Sequence, residues 1–124
     1  MYWYIFYLLI IVFIVGKIRG YLNNKWFPFV LNGKHVFITG GSEGLRLSIA
    51  KQCFMRGATV TIVSWNEEKL KKAVQEIDGS SRDYVQYFVL DVAKASVEEI
   101  QTIVKQAEKK LGRIEVLFNN AGFC

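Results

Sequence analysis

Thr39-Gly40-Gly41-Ser42-Glu43-Gly44-Leu45-Arg46 decides the fold of this chain. It joins a short β-branched and aromatic run, His35-Val36-Phe37-Ile38-Thr39, to a stretch whose apolar residues recur at helical spacing. A glycine-rich turn between strand and helix lets the backbone reverse sharply and approach a ligand with no Cβ in the way. The following helix aims its free N–H groups and the positive end of its dipole at the same point. In that context the turn holds a nucleotide pyrophosphate. Outside it, a Gly-Gly-Ser string is an ordinary loop.

Downstream, strand and helix patterns alternate with glycine punctuation, which argues for βαβ units and a parallel sheet. A first helix over about 44–56 would place Leu45, Ile49 and Cys53 on its packed face and stop at Gly57. A second strand is expected over 58–63. A second helix then starts from Asn66 as N-cap and repeats Leu70, Ala73, Val74 and Ile77. A third strand, 84–90, leads to a helix opened by the capping pair Ser96 and Glu99. That helix carries Val97, Ile100, Val104, Ala107 and Leu111 before Gly112. A fourth strand covers 114–118. Right-handed crossovers give a sheet order of 3-2-1-4, an α/β, Rossmann-like but incomplete sheet.

Ahead of this unit, Tyr2 to Val15 is fourteen apolar residues without a charge. A straight bilayer-spanning helix needs about 20 residues, reached by continuing to Leu22 with Lys17 and Arg19 snorkelling. A cleaved signal peptide would need a basic start and small residues at the cut; the first basic residue is Lys17. Residues 1–22 therefore read as a membrane anchor, 23–33 as a linker containing Pro28, and 34–124 as the nucleotide-binding unit. Tyr2, Trp3 and Tyr4 at one end and Tyr21 and Trp26 at the other fit interfacial belts. Positive charge after the apolar run predicts that the following domain faces the cytosol.

The net charge of +5 divides unevenly. Lys17, Arg19, Lys25 and Lys34 precede any acid, and from residue 35 onward 12 basic residues face 11 acidic ones, a balance of +1. The basic excess is thus a juxtamembrane cluster, and no basic helix with interleaved aromatics points to nucleic acid. The two cysteines, Cys53 and Cys124, have no paired or metal-ligand spacing, the sparse usage of a reducing compartment. His35 reads as the start of a strand, not a metal ligand.

Two further motifs stand at strand ends: Asp91-Val92 after Tyr84–Leu90, and Asn119-Asn120-Ala121-Gly122 after Ile114–Phe118. The order T-G-x-x-x-G, D-V, N-N-A-G over residues 34–122 resembles the short-chain dehydrogenase/reductase superfamily. The wording Gly-Lys-His-Val-Phe-Ile-Thr-Gly-Gly-Ser, with Asn66-Glu67-Glu68-Lys69-Leu70, is similar to the 3-ketodihydrosphingosine reductases. The resemblance implies a cofactor site made of Gly40, Ser42, Glu43, Gly44, Leu45, Lys69, Asp91, Asn119, Ala121 and Gly122. In it the pyrophosphate lies over Gly40, Ser42 and Gly44, Asp91 meets the adenine amino group, and Asn119 to Gly122 flank the adenosine ribose. Taken alone, Asp91 could cap its own loop and Asn119-Asn120 could be a side-chain turn; their joint order favours the site.

The implied cofactor is NADPH, with NAD(H) left open. An acid at the end of the second strand would select NAD and a basic residue NADP; Ser64-Trp65-Asn66 supplies neither, and the similar reductases usually carry Arg where Trp65 stands. Lys69 could pair with a 2′-phosphate or be a solvated surface lysine, while Glu43 is unfavourable beside a phosphate. Arg46 replaces the third glycine of the family motif, so its side chain must either displace the helix or swing toward the phosphates. Arg46→Gly is expected to tighten dinucleotide binding unless the guanidinium is itself a phosphate ligand.

The family's catalytic Ser, Tyr and Lys follow the N-N-A-G turn, so residues 1–124 are expected to hold no catalytic group and to reduce no ketone on their own. The resemblance further implies a long-chain 3-keto base as substrate, with the anchor in the endoplasmic reticulum membrane. Three readings follow: the cofactor half of a membrane-bound reductase, a non-catalytic membrane-anchored nucleotide-binding or interaction isoform, and a small secreted protein, the last disfavoured by the missing cleavage site.

Overall fold

The computed structural model describes residues 2–26, 29–40, 42–79 and 83–120, without the side chains of 22–26. The chain forms two units, Met1–Val30 and Leu31–Cys124.

The first unit is one helix, α1 (Tyr2–Trp26). Its stretch Tyr2–Tyr21 is long and apolar enough to cross a membrane. The apolar side chains surround the axis instead of forming a stripe, as expected of a helix whose whole circumference meets one apolar medium. Within it the Lys17 ammonium lies 5.6 Å from the Phe13 ring centre, one turn back along the helix. The helix runs through residues 23–26, which the sequence reading assigned to a linker. Nothing before Pro28 interrupts the i to i−4 ladder, so the boundary at 22 set by hydropathy is not a boundary of the backbone.

The second unit contains β1 (His35–Thr39), α2 (Gly44–Met55), β2 (Thr59–Ser64), α3 (Glu67–Asp78), β3 (Val85–Val89), α4 (Val97–Leu111) and β4 (Ile114–Asn119). The four strands are parallel in the order β3-β2-β1-β4, the order expected from right-handed crossovers. Side chains alternate across the sheet. Val36, Ile38, Val60, Ile62 and Val85 pack beneath α2 and α3 with Ala50, Cys53, Leu70, Ala73, Val74 and Ile77. Phe37 and Val63 face Ala107 of α4 on the other side.

Helix starts follow the sequence closely. Asn66 accepts from the Lys69 N–H at 3.1 Å, and Ser96 and Glu99 form a reciprocal capping box. The face expected for α2 is displaced. Leu45 is 78% exposed, while Ala50 and Cys53 are buried and Leu47, Ile49 and Phe54 pack against the core. At 3.6 residues per turn, Leu45 lies roughly 140° around the axis from Ala50; stepping back by fours from Cys53 drifts off the packed face. Along α4, Ala107 is buried as expected, but Val97 is 70% exposed and Ile100 is also exposed. Among the described residues no second helix covers that side of the sheet.

His35 opens β1, as expected, but inside the protein. Its Nδ1 lies 2.7 Å from the Gly112 carbonyl, which can only accept, so the proton sits on Nδ1. Nε2 then takes the Thr61 hydroxyl at 2.7 Å, and Thr61 accepts in turn from the Gln86 amide at 2.8 Å. Gln86 also donates to the Ala107 carbonyl at 3.1 Å. Burial pushes the Cys53 thiol above its ordinary range, opposed weakly by the Arg56 charge.

Candidate functional site

All four strands end on the same side of the sheet, and their C-terminal ends open into a cleft of about 790 Å³. Ligands of open parallel sheets bind outside the carboxyl ends of the strands, where the crossover direction reverses. Here that point lies between β1 and β4, the pair from which the chain winds outward in opposite directions. Gly40, Ser42, Glu43, Lys69, Asp91 and Asn119 line the cleft together, although they come from four separate stretches of sequence. Gly44 and Leu45 form the first turn of α2 and are not part of that lining. Ala121 and Gly122 lie outside the described residues.

The strand ends are tied to each other. The Gly40 N–H donates to the Val63 carbonyl at 2.5 Å, holding the turn against β2. The Thr39 hydroxyl donates to Asn119 Oδ1 at 3.1 Å and accepts the Asn120 N–H at 3.0 Å. Thr39 thereby joins the glycine turn to the strand-four turn and aims Asn119. Ser42 is buried, its hydroxyl 3.3 Å from that of Ser64, so it braces the turn against the end of β2.

Two backbone features suit a phosphate. Gly40 and Gly44 have φ of +70° and +59°, the left-handed region that favours glycine. The N-cap of α2, Glu43, makes no side-chain capping bond, unlike Asn66 and Ser96 at the starts of α3 and α4. Its first-turn N–H groups are therefore left for an outside acceptor.

The charges in the cleft are arranged less simply. The Lys69 ammonium lies 2.6 Å from Glu43 Oε1, an ion pair between residues 26 positions apart that no local pattern signals. It joins the two readings of Lys69: the side chain is partly solvated, and it reaches the glycine turn. Asp91 accepts the Ala93 N–H at 3.1 Å and stands 4.0 Å from Lys94, so it caps its own loop while lining the cleft. Arg46 does not displace α2. Its guanidinium swings over the turn, and a Cβ built on Gly40 would meet its Nη1 at 2.8 Å. Trp65 also lines the cleft and is 68% exposed. Sequence reasoning treated it as a departure from a cationic position, not as a surface a ligand could touch.

Residues 34–124 match the family pattern described as short chain dehydrogenase. The 3-dehydrosphinganine reductase of Danio rerio is 39% identical over 98 residues, covering 77% of this chain and 29% of its own length. The 3-ketodihydrosphingosine reductase of Aspergillus fumigatus is 32% identical over 119 residues, 92% of this chain and 31% of its own length. A short chain dehydrogenase from Shigella flexneri crystallised with NADP superposes with a TM-score of 0.69 at 29% identity, over 76% of this chain and 39% of its own. One from Bacillus anthracis does so at 0.68 and 35% identity, over 74% of this chain and 36% of its own. The chain thus spans about three-tenths of the length of the curated relatives it matches. With the strand order, the glycine turn and the strand-end cleft all in agreement, the chain belongs to the short-chain dehydrogenase family.

Proposed function

We propose that this chain is the cofactor-binding part of a membrane-anchored, NADPH-dependent ketoreductase acting on a long-chain 3-keto base. The observation that carries the reading is the convergence of Gly40, Ser42, Asp91 and Asn119 on one cleft at the strand ends, in a family whose sphingoid-base reductases are among the relatives of highest identity. The glycine turn and the uncapped N-terminus of α2 would hold the pyrophosphate. Asp91 would accept from the adenine amino group, and Asn119 with the turn that follows would flank the ribose. The exposed Trp65, which lines the cleft, would stack on the base, since every base offers a π face to an aromatic ring. When bound, the dinucleotide supplies the hydride that reduces a ketone.

Lys69 would meet the 2′-phosphate of NADPH after exchanging partners. Its bond to Glu43 is between two solvent-exposed groups, and such pairs are worth about 0–1 kcal/mol. A phosphate with two charges and three acceptor oxygens competes well against that. Helix α1 would anchor the chain in the endoplasmic reticulum membrane with the cleft in the cytosol; its uncharged length before Lys17 and the basic residues that follow support this.

Titration of the full chain in detergent tests the cofactor reading. NADPH should bind saturably and quench Trp65 emission, and Glu43→Gln should raise the NADPH affinity relative to NADH by freeing Lys69. No saturable binding of either dinucleotide would overturn it. Release of the chain by carbonate extraction, or glycosylation of a C-terminal reporter, would overturn the anchor or its orientation. A longer protein carrying this chain at its N-terminus should oxidise NADPH with 3-ketosphinganine, and failure to do so would remove the substrate. The second reading, a non-catalytic nucleotide-binding module, draws on the ion pair and the arginine inside the cleft. It predicts dinucleotide binding without turnover in any such longer protein.

A further inference from the structure

We propose that Arg46 is a ligand for the diphosphate of the bound nucleotide, a cation built into a turn where relatives of this family place glycine. The inference rests on the dinucleotide reading above and adds a residue to it.

Three observations meet at this side chain. First, it occupies the third position of α2, where the helix dipole presents positive charge, and no acidic residue lies in that first turn. An arginine there is unfavourable until an anion arrives. Second, among the described residues Arg46 is the one cation lining the cleft that has no carboxylate within ion-pair distance. Lys69 is held by Glu43 at 2.6 Å, and Lys94 stands 4.0 Å from Asp91. Third, the guanidinium is not turned away to solvent. It crosses the left-handed Gly40, with Nη1 2.8 Å and Cζ 3.5 Å from where a Cβ of that residue would stand. A Cβ at position 40 would push the guanidinium off the turn. The cation therefore stands over the same turn whose backbone N–H groups would receive the phosphate oxygens. A planar fork of donors matches the bidentate geometry of phosphate oxygens, which a lysine meets only as a point charge.

The division of labour that follows is specific. Arg46 would act on the diphosphate, which NADH, NADPH and ADP share, while Lys69 would act on the 2′-phosphate, which NADPH alone carries. Losing Arg46 should therefore weaken all diphosphate ligands together and leave the preference between the two dinucleotides unchanged. This is the opposite sign to the expectation that glycine at position 46 tightens binding.

The test uses the full chain in nonionic detergent, titrated with NADPH, NADH, ADP and 2′-AMP; the last has no 5′-diphosphate. Arg46→Gln and Arg46→Gly should each lower affinity for the first three ligands by about tenfold or more. Binding of 2′-AMP should stay within about twofold, with an unliganded thermal midpoint for Arg46→Gln equal to or above that of the parent chain; Arg46→Gly carries the helix cost of glycine and is read for binding alone. Arg46→Lys should recover part of the loss. Equal or tighter binding of ADP by Arg46→Gly would overturn the proposal. An equal loss for all four ligands, or a lowered midpoint in Arg46→Gln, would make Arg46 a brace for the turn and also overturn it. If the parent chain binds neither dinucleotide, the cofactor reading itself fails, a result distinct from a parent that binds and variants that bind equally well.

Discussion

The two faces of the sheet are finished differently. Beneath α2 and α3 the sheet has a dry, apolar core: Val36, Ile38, Val60, Ile62 and Val85 meet Leu70, Ala73, Val74 and Cys53. Beneath α4 the buried set is smaller, centred on Phe37, Val63 and Ala107. It shares the interface with the His35–Thr61–Gln86 hydrogen-bond chain. Two helices cover the first face, and one covers the second among the described residues. A parallel sheet normally buries both of its faces. The difference teaches where stability is concentrated: the first face carries apolar burial, while the second depends on polar groups that must all stay satisfied.

The sharpest way to break the comparison is to empty the dry face. Leu70→Ala removes a fully buried side chain from α3 and should cost about 2–5 kcal/mol, read from urea unfolding of the full chain in detergent. Val97→Ala on α4, at a residue already mostly in solvent, should shift the same curve by less than about 0.5 kcal/mol. Equal costs would show that the two faces are equivalent.

Next in size is the polar chain. Thr61→Val keeps the shape of the side chain but removes the hydroxyl that joins His35 Nε2 to the Gln86 amide. Both groups are then buried without that partner, at about 1–3 kcal/mol. Amide exchange at residues 35 and 61 should speed up more than at residue 38, which faces α2. Unchanged exchange on the α4 side would mean that water or rearrangement replaces the hydroxyl freely.

The helix caps come third. Ser96→Ala removes one half of the capping box at the start of α4, where Ser96 receives the Glu99 N–H at 3.2 Å and its own N–H meets Glu99 at 2.8 Å. The expected cost is about 1 kcal/mol, detected as faster exchange in the first turn of α4. A cost shared equally by α2 and α3 would mean that the sheet responds as one unit and not face by face.

Cys53 provides a pH probe of the dry face. Its folded thiol is held above the ordinary range chiefly by burial, so on unfolding the thiol loses its proton more readily. The native chain binds more protons in that window, and stability falls as pH rises through it. The contribution is complete below the unfolded thiol value and lost above the folded one. Unfolding curves at rising alkaline pH should show this decline, and Cys53→Ala should flatten it. An unchanged slope in Cys53→Ala would assign the decline to other groups.

What was legible in the sequence follows from what is local. Strand order needs only the sequence of elements and the hand of the crossover, and it is as read. Asn66 and Ser96 signal their helices through bonds that span three residues. Leu45 was misplaced because a pattern of fours resembles a packed face without being one. Val97 and Ile100 were expected to be covered because periodicity reports that a helix has an apolar side, not what meets it. In the site, the joint order of the glycine turn, Asp91 and Asn119 was readable because each ends a strand. The Glu43–Lys69 bond and the direction taken by Arg46 were not, because both depend on side chains meeting across the cleft.

The smallest effect on stability belongs to the sheet edge, and it sharpens the comparison most. β4 pairs with β1 on one side only, and Leu117 is 61% exposed on it. The outer row of N–H and C=O groups on β4 has no strand against it among the described residues, and such a row is a template for pairing with another chain. Leu117→Lys places a charge beside that row without touching the dry face. It should change unfolding by no more than about 0.5 kcal/mol, because little apolar area is lost from the core. It should nonetheless slow the association of residues 30–124, which are expected to aggregate when produced alone, and Leu70→Ala should hasten it. Light scattering at matched concentration separates the two. If Leu117→Lys aggregates as fast as the parent while Leu70→Ala aggregates faster, association runs through global unfolding. The open edge would then be a bystander.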